Sequence, residues 1–313
     1  MNRSINMESD DLLEVKSKNV DWNDRESIID ALKEEGDLLY YLPKEFEDDV
    51  YLYIAAVTNN GLSIYYVPEK YRDDYDVAIS AVTENGDSLQ YVSKRLRKNR
   101  EIVKRAIESY PLSFLYASKI FDDDEELAII ALGKNGLALE YLSEIFQNKI
   151  EFVVLAVQNN GLALRYASAE LKNNEKIVTL ALQNNGLALE YASVELKNNE
   201  KFVSLAAKNN GLALKYASLE LQCNWNIVSI AVKNNGLALK YIWKLRDDEN
   251  IVSLAVKNNG LALKYACARL RNDWKIVLLA IENNRLALEY ASEDLRCNDD
   301  FINIASKIRR CLY

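Results

Sequence analysis

The chain contains no histidine. That removes the commonest general base, the commonest metal ligand and any Ser/His or Cys/His nucleophile pair. Cysteine is scarce. Cys223, Cys267, Cys297 and Cys311 stand far apart, and none forms a C-x-x-C pair. Free thiols in a reducing compartment are therefore a better reading than a disulfide framework or a zinc site. No run approaches the roughly 18 apolar residues of a membrane span. The first 20 residues are polar, with Glu8, Asp10, Asp11 and Glu14, and resemble neither a signal nor a transit peptide. Positive charge is in deficit: 39 Lys and Arg against 47 Asp and Glu give a net charge of −8. Residues 1–50 hold 15 acids and 6 bases, so the rest of the chain is close to neutral. A general nucleic-acid binder needs a basic surface, and this balance argues against one.

Glycine is also sparse, ten in 313 residues, and its placement is the strongest signal in the chain. Gly36, Gly61, Gly86, Gly136, Gly161, Gly186, Gly211, Gly236 and, one residue early, Gly260 recur with a period of 25. Pro111 and Arg285 hold the slot where glycine is missing. A tyrosine follows each slot by five positions: Tyr41, Tyr66, Tyr91, Tyr116, Tyr141, Tyr166, Tyr191, Tyr216, Tyr241, Tyr265 and Tyr290. Self-similarity at such a period signals a stack of identical supersecondary pieces, each supported by its neighbours.

Residues 161–185 illustrate one repeat. Leu164, Ala167 and Leu171 make one helical stripe, and Ile177, Val178, Ala181 and Leu182 a second. Between them lies an asparagine or aspartate suited to capping a helix N-terminus, at Asp49, Asp74, Asn99, Asp124, Asn174, Asn199, Asn224, Asp273 and Asn298, with Lys149 the exception. The Asn-Gly pair reads as a helix stop, with glycine in the left-handed conformation and the next leucine folded back on the last turn. Each repeat is thus expected to be a hairpin of two helices of roughly 9–11 residues, too short to be stable alone. Alanine recurs five residues before each slot, as at Ala56, Ala181 and Ala206, where a methyl is all that fits a close crossing.

The expected fold is all-α: a right-handed α-solenoid of about eleven helix-turn-helix repeats over residues 36–309. An acidic disordered segment (1–20) and a capping helix (21–35) precede it, and a tail (310–313) follows. The 24-residue repeat 236–259 should change the local twist, with Ile242 and Trp243 filling the gap. Pro111 and Arg285 should distort their joints, since neither takes positive φ at low cost.

The pattern N-N-G-L-A-L-x-Y-A-S-x-x-L-x-x-N-x-x-I-V-x-x-A-V, clearest at Asn159–Leu164 and its copies at 184–189, 209–214 and 234–239, resembles domain-of-unknown-function family 4116. Residues 36–135 depart most, with Asp37, Ser63 and Asp87 among the leading positions. The resemblance implies tandem helical hairpins, often in multi-repeat proteins of protists, giant viruses and intracellular bacteria. It implies no activity and supplies no catalytic residue.

Gly161, Tyr166, Ala181, Gly186, Tyr191, Gly211 and Tyr216 are accordingly read as structural. The tyrosine ladder either packs between hairpins, its hydroxyls on loop carbonyls or asparagines, or lines a groove that stacks on a peptide or on bases; packing is preferred. The asparagines before the glycine slot support a turn or hold an extended peptide; the turn is preferred. Tyr40 and Tyr65 share a slot held by charged residues in most later repeats. With Tyr51 and Tyr53 they form a candidate partner-binding surface. Lys208, Lys215, Lys233, Lys240, Lys257 and Lys264 flank three consecutive slots as a basic stripe, either a solvated face or a strip for anionic groups. Trp225 and Trp274 share one slot and read as inter-repeat packing.

The functional expectation is a non-enzymatic scaffold for protein–protein interaction, without metal or cofactor and without a membrane, in the cytoplasm or in a host cytosol if viral or secreted. The alternative is a binder of nucleic acid or another anionic ligand through the lysine stripe.

Overall fold

The computed structural model describes residue 13 and residues 16–307, all of whose regular elements are helical. Twelve long helices carry the repeat. In the N-terminal part these are α1 (Arg25–Glu34), α2 (Val50–Asn59), α3 (Tyr75–Glu84), α4 (Arg100–Ser109) and α5 (Glu125–Lys134). Further on are α6 (Ile150–Asn159), α7 (Glu175–Asn184), α8 (Glu200–Asn209), α9 (Trp225–Asn234), α10 (Glu249–Asn258), α11 (Trp274–Asn283) and α12 (Asp299–Lys307). The chain divides into two compact units, Met1–Phe146 and Gln147–Tyr313. Within each unit successive long helices pack side by side, and contacts run between sequence neighbours. Each unit is an α-solenoid stack.

The long helices form as their sequences direct. In α7, Asn174 accepts hydrogen bonds from the amides of Lys176 and Ile177. Aspartate or asparagine does the same at the start of α1–α5 and α8–α11, whereas Lys149 makes no cap. Each helix from α2 to α11 buries the four side chains at the Ile177, Val178, Ala181 and Leu182 positions, whereas the terminal α1 and α12 bury two each. At about 1.5–3 kcal/mol for each large aliphatic side chain, this burial is the main stabilising term.

The first half of each repeat differs from expectation. It is not a second α-helix but a six-residue 3-10 turn from glycine to tyrosine, as at Gly161–Tyr166 and Gly211–Tyr216, then a break and a short helical turn. The break lies at slots six and seven, where Ala167 is extended at ψ 157°. There the Ser168 N–H donates to the Gln147 carbonyl across 3.1 Å, joining one repeat to the one before. Ser93, Ser118, Ser193, Ser218, Cys267 and Ser292 make the same bond. A single α-helix would have consumed those amides internally.

The glycines serve a different purpose from the one expected. No described residue has positive φ, so none of them closes a helix in the left-handed region. Instead, a Cβ on Gly186 would fall on the Ala206 carbonyl oxygen of the following long helix and within 2.9 Å of the Asn210 nitrogen. Gly36, Gly61, Gly86, Gly161, Gly211, Gly236 and Gly260 face the equivalent alanine carbonyl. Glycine and alanine recur together because the 3-10 turn touches the next helix backbone to backbone.

Pro111 keeps the same turn as its glycine counterparts, preceded by Tyr110 at φ −138°, ψ 100°. Across this joint α5 lies less closely on α4 than the earlier helices lie on one another. The exposed Arg285 likewise begins an ordinary 3-10 turn. In the 24-residue repeat Ile242 is fully buried as expected, but Trp243 is 59% exposed and fills no gap. The Arg246 guanidinium bridges the carbonyls of Ile242 and Lys240 instead, at 2.7 Å each. The helix expected within residues 21–35 is α1, capped by Asp24. Of the expected disordered segment 1–20, Lys16 and Ser17 are helical and Ser17 is buried. The rest of that segment, apart from the described residues 13 and 16–20, and the 310–313 tail lie outside the described residues.

Candidate partner-binding faces

Two features recur along the glycine-to-tyrosine turns and together build a face. The first is a clamp. In α9 the Asn234 side chain accepts from the Gly211 N–H at 2.7 Å and donates to the Lys208 carbonyl at 2.8 Å. It thereby ties the C-terminus of α8, and the glycine after it, to α9. Asn59, Asn184, Asn209, Asn258 and Asn283 make both bonds. The second asparagine of each pair supports the turn, as expected: Asn235 Oδ1 accepts from the Leu237 N–H at 3.0 Å. The role of the first was not apparent in the sequence, although the doublet was there to be questioned. Where Pro111 lacks an N–H, Lys134 stands in the clamp slot and donates only to the Glu108 carbonyl, at 2.5 Å.

The second feature is the tyrosine ladder, held at the ends of the turns and half-buried apart from the more exposed Tyr66. At Tyr116, Tyr141 and Tyr216 the hydroxyl partners are charged side chains rather than loop carbonyls or asparagines. Tyr116 bonds Asp87, and burial followed by that carboxylate raises its pKa. Tyr216 bonds Glu190 and Lys215, with burial again the leading cause of an upward shift. The Lys215 ammonium is raised in turn, chiefly by its bond to Tyr216.

In the N-terminal unit the slot before the ladder adds rings. Tyr40 is 66% and Tyr65 57% exposed. Tyr40 meets Tyr41 edge-on at 5.0 Å and Tyr66 at 5.7 Å, and Tyr65 meets Tyr66 at 5.3 Å and Tyr91 at 5.4 Å. Trp22 extends the run to Tyr41 at 6.4 Å. Six rings therefore form one strip across three turns. Tyr51 is exposed but starts α2, away from these turns. Tyr53 leaves the candidate surface altogether: it is 1% exposed, and its hydroxyl donates to the Glu47 carbonyl at 2.7 Å. Alternation along a helix, with Tyr51 out and Tyr53 in, is what the sequence grouping overlooked.

In the C-terminal unit the same slot holds a cation at four of six repeats, with Glu190 and Glu289 at the other two. Lys215 stands 4.3 Å over Tyr216, Lys240 5.7 Å over Tyr241, Arg165 5.6 Å over Tyr166, and Lys264 5.7 Å over Tyr290. Lys208, Lys233 and Lys257 lie instead in the last turns of α8, α9 and α10, where a cation suits the helix dipole. All six lysines are exposed. The units differ in charge: residues 1–146 carry 30 acids and 17 bases, a balance of −13, and residues 147–313 carry 17 acids and 22 bases, a balance of +5.

Trp274 packs edge-on against Phe301 of the next repeat at 5.3 Å, as expected of inter-repeat packing, while Trp225 is 44% exposed. Among the described residues no three His, Cys, Asp or Glu side chains gather as a metal site, and no helix is long and apolar enough to cross a membrane. The depressions on the surface are open, one lined by Thr58, Ile79, Ser80, Thr83 and Glu84, another by Glu175, Lys176, Thr179, Leu180 and Lys201. Cys223, Cys267 and Cys297 are free thiols. Cys267 donates to Asp247 at 2.8 Å in the slot where serine usually stands.

The model of the family described as Domain of unknown function (DUF4116) matches the chain ten times in overlapping windows, from residues 49–97 to 273–312. Each window begins at the N-cap of a long helix, Asp49 in the first and Asp273 in the last, and covers about two repeats. No curated protein and no solved structure matches the chain.

Proposed function

The chain belongs to the DUF4116 family, and on that footing we propose that it is a non-enzymatic scaffold whose N-terminal unit binds a protein partner along the tyrosine strip. The observation that carries this reading is the exposure of Tyr40 and Tyr65 within six contiguous rings. Large rings with few rotatable bonds lose little entropy on docking and bury much area, which is why they dominate interfaces. The non-enzymatic part is supported by the lack of histidine and by the shallow, open depressions. A host cytosol is the setting this reading assumes, because the family resemblance implies proteins of protists, giant viruses and intracellular bacteria.

Affinity capture from host-cell extract compares the natural chain with a Tyr40→Ala/Tyr65→Ala variant. The reading expects a defined set of proteins to be lost with the variant. An unchanged set overturns it. A second reading, an anionic ligand on the C-terminal unit, is favoured by the exposed ammonium groups of Lys215, Lys240 and Lys264. Replacing these three with Glu abolishes binding and its salt dependence if that reading holds, and leaves the tyrosine-dependent set in place if the first one does.

A further inference from the structure

We propose that the tyrosine strip is a track for an extended basic segment of a partner protein, carrying arginine or lysine at about every third residue. This rests on the scaffold reading and adds to it the chemistry and spacing of what binds.

The molecule itself shows what its ladder holds. Four times in the C-terminal unit a cation from the slot before the ladder lies on a ladder ring: Arg165, Lys215, Lys240 and Lys264. The same slot in the N-terminal unit is Tyr40, Tyr65, Gln90, Leu115 and Glu140. The fold is repeated, but at Tyr40 and Tyr65 the internal cation is replaced by further ring surface. A ring face attracts a cation through its quadrupole, and more strongly when both are partly desolvated.

Charge points the same way. The strip belongs to the part of the chain with a balance of −13, and its own turns carry Asp37 and Asp87. Asp37 accepts from the Asn60 side chain at 3.0 Å and the Ser63 hydroxyl at 2.7 Å, and Asp87 bonds Tyr116. Arg72, which follows the second of these turns, is committed to the carbonyls of Val67 and Tyr65 at 2.6 Å each. An anionic partner meets repulsion here, and a neutral one gains nothing from the charge.

Spacing follows from geometry. Packed helices lie about 8–10 Å apart, so successive turns advance by about that much. An extended chain rises about 3.3 Å per residue. One residue in three therefore comes opposite equivalent rings of successive repeats.

The test is calorimetric titration of the full chain with a peptide of repeated Arg-Gly-Ser triplets. Comparison peptides carry citrulline for arginine, or the same composition with the arginines consecutive. The proposal expects the triplet peptide to bind. Citrulline should weaken binding by about tenfold or more, and Tyr40→Ala/Tyr65→Ala by about tenfold. Tyr40→Phe/Tyr65→Phe should preserve it, because the ring and not the hydroxyl is used. Clustering the arginines should weaken it several-fold. Equal binding of the citrulline peptide overturns the cation and leaves the strip as a surface for neutral extended segments. Equal binding of the clustered peptide, unaffected by ring removal, overturns the track in favour of diffuse attraction. Self-association lost with the alanine variant, with no peptide binding, identifies a second copy as the occupant and also overturns the proposal. Unchanged thermal melts confirm that the variants fold, as the exposure of both side chains predicts.

Discussion

Two glycines in this chain should respond oppositely to the same substitution. Gly186 lies where the 3-10 turn meets α8. A Cβ there meets the Ala206 carbonyl oxygen well inside van der Waals contact, with the Asn210 nitrogen at 2.9 Å and its Cβ at 3.2 Å. Two of these three atoms are backbone of a packed element, so no side chain can swing away. The turn must lift off α8, which loosens the buried contacts of Ala188 and Leu189 and lengthens the 2.8 Å bond from the Gly186 N–H to Asn209. Overpacking of this kind costs about 1–3 kcal/mol. The rigid opponent and the loss of about 1 kcal/mol of hydrogen bonding place Gly186→Ala at the upper end, about 3 kcal/mol. Gly133 lies inside α5, exposed, and a methyl added there would meet nothing within 4 Å. There alanine removes only the entropic penalty of glycine in a helix, and Gly133→Ala should stabilise by about 0.5–1 kcal/mol. Urea unfolding followed by circular dichroism reads both. If Gly186→Ala unfolds within about 0.5 kcal/mol of the natural chain, well under the overpacking range, backbone contact is not the reason for the repeating glycine.

Removing one clamp, Asn234→Ala, should cost about 1–2 kcal/mol: the bond to the buried Gly211 amide is lost in full, whereas water can partly replace the exposed one to Lys208. Faster hydrogen exchange at Gly211 checks it, and an unchanged rate argues against the clamp. Tyr53→Phe should cost about 1 kcal/mol and Tyr53→Ala about 3–5 kcal/mol in unfolding experiments, because the side chain is core and its hydroxyl is bonded to Glu47; neither should alter the captured partners. Asp49 is held below the usual carboxylate range mainly by its bond to Arg25. A lowered folded pKa contributes stability that is present above the unfolded value, about 3.9, and is lost as pH falls through the folded one. Arg25→Gln should therefore destabilise at neutral pH and converge with the natural chain in acid, as unfolding at several pH values would show; a constant gap at all pH values contradicts this.

Local chemistry was legible in the sequence, and close approach was not. An asparagine such as Asn174 caps the helix that it precedes, so its role depends only on its neighbours in the chain. The apolar quartet of α7 follows helical periodicity. By contrast, a recurring glycine is equally consistent with left-handed capping and with steric contact, and only the position of Ala206 decides between them. The 3-10 turns escaped for a related reason. Leu164, Ala167 and Leu171 are spaced as in an α-helix, but the Ser168 amide is drawn to Gln147, more than 20 residues back. The exposure of Tyr40 and Tyr65 followed from the charged residues that share their slot. The burial of Tyr53 needed a helix phase that its tyrosine neighbours obscured.

Both the fold and the proposed track require contacts that run only between neighbouring repeats. Native-state hydrogen exchange on Gly186→Ala tests this directly. The account predicts that protection falls most in α7, α8 and the turn between them, with progressively smaller losses toward α11. A uniform fall across all helices of the C-terminal unit would mean that its repeats share one cooperative core, and would contradict it.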